Sequence, residues 1–222
     1  PYTTLFRSIV QRQQVRHHQP DQHQRHRDHP DQGDVDRTQR PEPGLRRRPH
    51  QPAGQRAEDL VRRWIASPDI FEQANDRINQ LEQDTAHQTV ALAGAVDLLH
   101  SLADGLWTVC TSANTNLGRA RLEAAGLPVP SQLVTANHVQ RGKPHPDPYL
   151  LGAERLGFDP AECVVFEDAV AGAQAAIEAG AGLVVGVSEF ALATEADIVV
   201  RDLTGITFDG EVLFIPDKNR LR

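Results

Sequence analysis

Methionine is absent from the 222 residues, and aromatic side chains make up only 5% of them. Two cysteines, Cys110 and Cys163, are too few for the disulfide framework of a small secreted scaffold. Both stand in apolar runs, TVCTS and ECVVF, and read as buried free thiols, which behave as small core hydrophobes. No apolar run approaches the roughly 20 residues of a membrane-spanning helix. No charged-then-apolar signal peptide opens the chain. The expectation is a cytoplasmic, reducing compartment and no membrane partner. An excess of positive charge is missing too. The balance is 23 basic against 30 acidic residues, net −7, which argues against a dedicated nucleic-acid binder. Lysine is scarce: Lys143 and Lys218 stand against 21 arginines. The length suits one domain, or one domain with a small insertion.

The averages hide a break near residue 56. Residues 9–56 hold ten Arg, ten Gln, six His, six Pro and five Asp, with only six apolar residues. Such a stretch has no helical or strand period and buries too little surface to offset its ordering entropy. Residues 1–56 carry a net +5, and the remainder −12. The chain opens on Pro rather than Met, so it is not expected to begin at a translation start. Residues 1–8, PYTTLFRS, read as the translation of a sequencing-library adapter and are set apart from the fold. Residues 9–56 then read as a GC-rich gene translated out of frame, with a disordered arm or a basic nucleic-acid tail as the alternatives.

From Ala57 the pattern alternates. AEDLVRRWIA has helical spacing at Leu60, Val61, Trp64 and Ile65, and DIFEQANDRINQLEQDTA continues it at Ile70, Phe71, Ala74, Ile78 and Leu81. AGAVDLLHSLA is a third helix. WTVCT (107–111) reads as a buried strand, NLGRARLEAAG as a helix stopped by Gly126, and QLVTA as a strand. DPYLLGAERLG is a helix with Pro148 in its first turn and Gly157 at its end. CVVFED is a strand, AVAGAQAAIEAG a helix and GLVVGV a strand. A short helix near 189–194, the run DIVV and a final pair of extended runs in TFDGEVLFI close the chain. Strand–helix–strand repetition implies a doubly wound parallel sheet, an α/β fold whose ligands bind at the carboxyl ends of the strands.

Three strand ends carry chemistry. Glu167 and Asp168 close CVVF, and adjacent carboxylates can serve one site only where a strand gives way to a loop. Hard oxygen ligands there suit Mg²⁺; a solvated acidic turn is the alternative. Lys143, in RGKPHPDPYL, is a lysine among arginines. Its compact ammonium can sit between a phosphate and a carboxylate, or it is simply a loop lysine. Thr111 and Ser112 lead into the next helix, either as an anion cradle or as helix caps, with Asn116 or Thr115 as other cap candidates. His138 and His145 flank the lysine loop and read as surface residues.

A hydroxyl at one strand end, a lysine 32 residues on and a Glu-Asp pair 24 residues later resemble the haloacid dehalogenase superfamily of phosphotransferases. The stretch from Arg141 to Gly180, RGKPHPDPYLLGAERLGFDPAECVVFEDAVAGAQAAIEAG, is similar to its sugar-phosphatase and β-phosphoglucomutase branch, and the resemblance covers residues 53–200. It implies a Rossmann-like core at 89–222 and a partial α-helical cap at 57–88. It also implies that Thr111 and Ser112 bind the phosphoryl group, Lys143 neutralises it, and Glu167 and Asp168 hold Mg²⁺. GQRAEDL resembles a cap loop, in which Arg56 touches substrate or stays a surface residue.

The same resemblance calls for an aspartate nucleophile in a DxDG motif closing the first strand. No such tetrapeptide occurs; Asp34-Val35-Asp36-Arg37-Thr38 comes nearest, without an apolar strand before it. The implied function is a Mg²⁺-dependent phosphatase for small sugar or polyol phosphates, acting through an aspartyl-phosphate, in a chain whose nucleophile and first strand are missing. A hexose-phosphate mutase, needing a second phosphate site built from Arg56, Arg62 and Arg63, is one alternative. A non-catalytic phosphoryl-ligand binder is another. A dehalogenase would leave Glu167 and Asp168 idle. The expected partner is a small phosphorylated metabolite and the expected state a monomer.

Overall fold

The computed structural model describes residues 54–209 and 212–222. The adapter-like residues 1–8, most of the basic stretch and the Asp34/Asp36 pair lie outside the described residues.

Two helices come first, α1 (Ala57–Trp64) and α2 (Pro68–Asp84), packed on each other. Pro68 stands in the first turn of α2, where a missing N–H costs nothing. A 3₁₀ turn at Ala86–Gln88 leads to α3 (Ala95–Ser101) and α4 (Thr115–Ala124). Then come α5 (Asp147–Leu156), β1 (Val164–Glu167), α6 (Val170–Glu178), β2 (Leu183–Val187) and β3 (Ile198–Val200). The short hairpin β4 (Thr207–Phe208) and β5 (Leu213–Phe214) is antiparallel.

Strands β1, β2 and β3 form a parallel sheet in that order, with Phe166 opposite Val185 and Val185 opposite Ile198. Their side chains alternate between two cores. Val164, Phe166, Val185, Val187 and Val200 pack with Leu98 and Leu99 of α3 and Leu122 of α4. Val165, Val184 and Val199 pack with Tyr149 and Ala153 of α5 and Ala173, Ala175 and Ala176 of α6. Helices thus cover both faces, the doubly wound α/β arrangement expected from continuous apolar strands. Helices α4, α5 and α6 are stopped the same way. After α4, for example, Leu127 N–H donates to Leu122 O and Gly126 N–H to Glu123 O, with Gly126 at φ +67°. That double bond set satisfies the last carbonyls and needs the left-handed conformation glycine adopts at no cost.

Two expectations are corrected, and the burial of one helical stripe is resolved. The runs 107–111 and 132–136 do not form full strands. They join through one parallel bridge, Cys110 to Val134, with Thr111 N–H donating to Val134 O and Val134 N–H to Val109 O. Their side chains still alternate as in the sheet, Val109 and Leu133 into one core and Cys110 and Val134 into the other. The apolar stripe of α1 and α2 is mostly uncovered: Val61 and Phe71 are buried, but Trp64 is 78% exposed and Ile70 57%. Two helices alone cover one seam between them, and the rest of the stripe faces no other described residue closely enough to be buried. The cap of α4 is neither Asn116 nor Thr115. Asn114 takes that place, its side chain accepting from Leu117 N–H at 2.9 Å.

Candidate functional site

Glu167 ends β1 and is fully buried. A buried carboxylate persists only when its oxygens are satisfied. Here Oε1 accepts from Lys143 Nζ and, at 2.7 Å, from the Tyr149 hydroxyl. Oε2 accepts from the backbone N–H groups of Asp168 and Ala169, at 3.1 and 3.2 Å. Lys143 is equally buried, and its ammonium lies 4.7 Å from the centre of the Tyr149 ring. A cation over an aromatic face is stabilised by the ring quadrupole. Gly172 makes the arrangement possible. A Cβ there would stand 2.0 Å from Glu167 Cδ, so α6 can start this close to β1 only with glycine at that position.

The lysine loop is closed at its base by Arg141 and Asp147, whose guanidinium and carboxylate meet at 2.7 and 3.1 Å. The bond from Arg141 holds the Asp147 carboxyl below the usual carboxylate range. His138 and His145 are exposed, as expected. His138 nevertheless has a structural part: its Nδ1 accepts from Thr135 N–H at 3.0 Å and caps the turn at Ala136–His138. Burial, with the Arg155 charge adding to it, holds its pKa below the ordinary 6.5.

Thr111 and Ser112 follow the 107–111 run. Thr111 Oγ1 accepts from Ala113 N–H at 3.1 Å, and the Ser112 hydroxyl donates to Gly54 O at 2.6 Å. Gly54 in turn touches the end of β1, since a Cβ on it would lie 2.9 Å from Ala169 Cβ. Arg56, two residues on, lies across Gly142, the residue before Lys143. The segment 54–56 therefore ties together Ser112, the lysine loop and the Glu167–Asp168 strand end. Arg56 is not a loose surface residue. Its guanidinium grips Asp59 at 2.7 and 3.0 Å, and that bond raises its pKa further. It also lines a cavity of about 290 Å³ with Ser112, Asn114, Asn75 and Asn79. Arg62 pairs with Glu58 at 2.9 Å and stacks on Phe71, and both Arg62 and Arg63 are exposed.

Sequence reasoning missed Tyr149 and Asn75. Tyr149 sits in the quoted motif RGKPHPDPYL but gave no signal beyond a buried aromatic on a helix. Asn75 lies one turn after the buried Phe71, at the edge of the apolar stripe of α2, where its polar side chain gave no signal. The cysteines are buried free thiols, and burial pushes both thiols up to about 12. Among the described residues no helix is long and apolar enough to cross a membrane.

A parallel α/β sheet places its ligand at the carboxyl ends of its strands, and Ser112, Lys143, Glu167 and Asp168 all stand there. The chain belongs to the haloacid dehalogenase-like hydrolases: the model of that family matches residues 6–180. It is 42% identical over 135 residues to hexitol phosphatase A of Escherichia coli, covering 59% of this chain and 62% of that protein. It is 33% identical over 190 residues to glycerol-1-phosphate phosphohydrolase 2 of Saccharomyces cerevisiae, covering 74% of each. The chain thus spans about three fifths of the length of the hexitol phosphatase. A β-phosphoglucomutase from Clostridium difficile shares the fold, with a TM-score of 0.54 at 22% identity over 68% of this chain and 72% of that one.

Proposed function

We propose that residues 54–222 carry the phosphoryl-binding half of a cytoplasmic phosphatase site for small sugar or polyol phosphates, with residues 57–88 as part of a helical cap. The observation that carries this reading is the fully buried Lys143–Glu167 pair at the strand end beside Asp168, joined through Gly54 to Ser112. A buried ammonium held by a carboxylate and a tyrosine is oriented before any ligand arrives. Such a preset charge stabilises a phosphoryl group without reorganisation. In this reading Thr111 and Ser112 receive phosphoryl oxygens, Lys143 neutralises them, and Glu167 positions Lys143.

The donor set supports Mg²⁺ in a restricted way. Mg²⁺ takes one or two carboxylates and fills its shell with water and phosphate oxygens. The two oxygens of Glu167 accept two hydrogen bonds each, so Asp168 is the carboxylate for the metal in this reading. Among the described residues there is no group of three or more His, Cys, Asp or Glu able to hold one. When bound, Mg²⁺ would supply charge neutralisation at the phosphoryl oxygens. The names of the relatives, a hexitol phosphatase and a glycerol-phosphate phosphohydrolase, support the substrate class.

The attacking carboxylate is a separate matter. The chain contains no DxDG tetrapeptide, so binding and turnover are separable. This absence favours a second reading, a phosphoryl-ligand binder without turnover. A mutase is disfavoured, because Arg62 and Arg63 are exposed and Arg56 is already paired to Asp59.

Calorimetric titration of the full chain with inorganic phosphate and Mg²⁺ tests the site. Binding is expected, with Lys143→Ala weakening it about 10- to 100-fold, the scale of a lost buried charged hydrogen bond. Asp168→Asn should abolish its Mg²⁺ dependence. Absence of phosphate binding in Mg²⁺ sinks the proposal. Phosphate release from glucitol 6-phosphate or glycerol 1-phosphate would exclude the non-catalytic reading.

A further inference from the structure

The run 132–136 leads into the turn Thr135-Ala136-Asn137-His138. Its bonds are those of a capping box, in which a Thr side chain accepts from the N–H three residues on and the side chain there reaches back to the Thr N–H. That returning side chain is ordinarily Glu or Gln. Here it is a histidine. The Nδ1 of His138 accepts from Thr135 N–H at 3.0 Å and lies 3.1 Å from the Thr135 hydroxyl. An accepting Nδ1 carries no proton, so the neutral ring holds its proton on Nε2. Thr135 is fully buried and His138 is exposed. A titratable acceptor open to solvent thus satisfies a donor that water does not reach.

The turn is sewn to the start of α4. Ala136 N–H donates to Ala113 O at 2.9 Å. Thr115 donates to Asn137 Oδ1 from its N–H at 2.9 Å and from its hydroxyl at 3.2 Å. The hydroxyls of Thr115 and Thr135 meet at 2.9 Å. Downstream, only four residues separate His138 from Lys143. The turn therefore joins the segment that follows Thr111 and Ser112 to the segment that brings in Lys143.

A proton on Nδ1 converts this acceptor into a donor. The Thr135 hydroxyl can accept from it, but the Thr135 N–H then faces a second donor. No other acceptor for that N–H occurs among the described residues. A buried N–H without a partner is costly. The new charge gains no compensation either. Among the described residues the charge that acts on the ring is Arg155 of α5, itself a cation, fixed by its bond to Leu133 O at 2.7 Å. Ala136, Asn137, Val139 and Gln140 beside the ring are neutral, and so are residues 113–116 at the start of α4.

We propose that His138 is a pH-sensitive latch: neutral, it holds the turn Ala136–His138 closed against α4, and protonated, it releases the turn and the residues leading to Lys143. The latch is independent of what the neighbouring site binds.

The test is amide hydrogen exchange by NMR on the full chain at pH 7.5 and 5.5, with rates corrected for the intrinsic effect of pH. The protected amides of β1 and β2 report opening of the sheet and serve as the reference. Relative to them, protection of the Thr135 N–H in the wild type should fall about 3- to 10-fold at pH 5.5, the linkage expected when opening returns the ring to its ordinary pKa. His138→Glu supplies the usual capping residue, with an ordinary pKa of about 4.3, and should keep that protection at both pH values. His138→Ala has no acceptor and should show low protection at both. Equal relative protection of Thr135 at the two pH values in the wild type overturns the latch. An equal fall in His138→Glu also overturns it, because the titrating group then lies elsewhere. So does a His138→Ala chain that protects Thr135 as well as the wild type at pH 7.5.

Discussion

Gly172→Ala sets two effects of opposite sign against each other. Gly172 stands in the first turn of α6, and its φ is not left-handed. Helix propensity alone favours alanine there by about 1 kcal/mol. The methyl group, however, would lie 2.0 Å from Glu167 Cδ and 2.2 Å from both carboxylate oxygens, against 3.4–4 Å for an ordinary contact. Lys143, Tyr149 and two backbone N–H groups fix that carboxylate, so it cannot step aside without losing bonds of about 1.5–3 kcal/mol each. The less costly response is for α6 to move by more than 1 Å. Overpacking of that size belongs at the upper end of the usual range, about 3 kcal/mol. Net destabilisation should be about 2 kcal/mol. For a chain of this length that lowers Tm by about 4–8 °C. Thermal and denaturant unfolding of the full chain, wild type against Gly172→Ala, would measure it. An unchanged or raised Tm would mean that propensity wins, and the reasoning about the Glu167 cradle would be wrong.

Tyr149→Phe removes the 2.7 Å bond to Glu167 and should cost about 1.5–3 kcal/mol, read as a lower denaturant midpoint at constant m-value; a midpoint within experimental error of wild type counts against the cradle. His138 should titrate below 6.5 in the folded chain. Its unfolded form takes up a proton first as pH falls, so its contribution to stability is complete above about 6.5 and declines as pH drops towards the folded pKa. NMR titration of its imidazole resonances checks this, and a folded pKa at or above 6.5 refutes it. Cys110 and Cys163, pushed up to about 12, should stay unmodified by iodoacetamide at pH 8 until the chain is unfolded, as read by mass spectrometry. Rapid labelling of Cys110 in the native protein would show that its core opens.

The helices of the core were legible because two independent signals agreed. Apolar spacing gave the helix, and Gly126 and Gly157 marked the stop, both now seen at positive φ. The strands CVVF, GLVVGV and DIVV were legible as continuous apolar runs because helices bury both faces of the sheet. Two things depended on partners rather than on the runs themselves. WTVCT and QLVTA have strand composition and strand-like alternation, yet among the described residues they meet through one parallel bridge. Trp64 and Ile70 belong to an apolar stripe, but a stripe is buried only where another surface meets it.

The site was legible by residue type and spacing, and much less so by role. Glu167 and Asp168 read as an equivalent pair because adjacency in sequence carries no orientation. Strand geometry separates them. Glu167 is the last residue of β1 and keeps its inward direction, so it meets Lys143 and Tyr149 in the core. Asp168 has already left the strand, and its N–H bends back onto the Glu167 carboxylate. One carboxylate is thereby committed to holding a cation of the protein, and the other becomes the candidate for a cation from solution. Spacing from Thr111 to Lys143 to Glu167 could suggest a shared site, and of these three Lys143 and Glu167 meet directly. Tyr149, Gly172 and Gly54, which decide how they meet, hold the site through a hydroxyl, an absent methyl and a carbonyl. None of these three contributions has a periodicity or a charge for a sequence pattern to reveal.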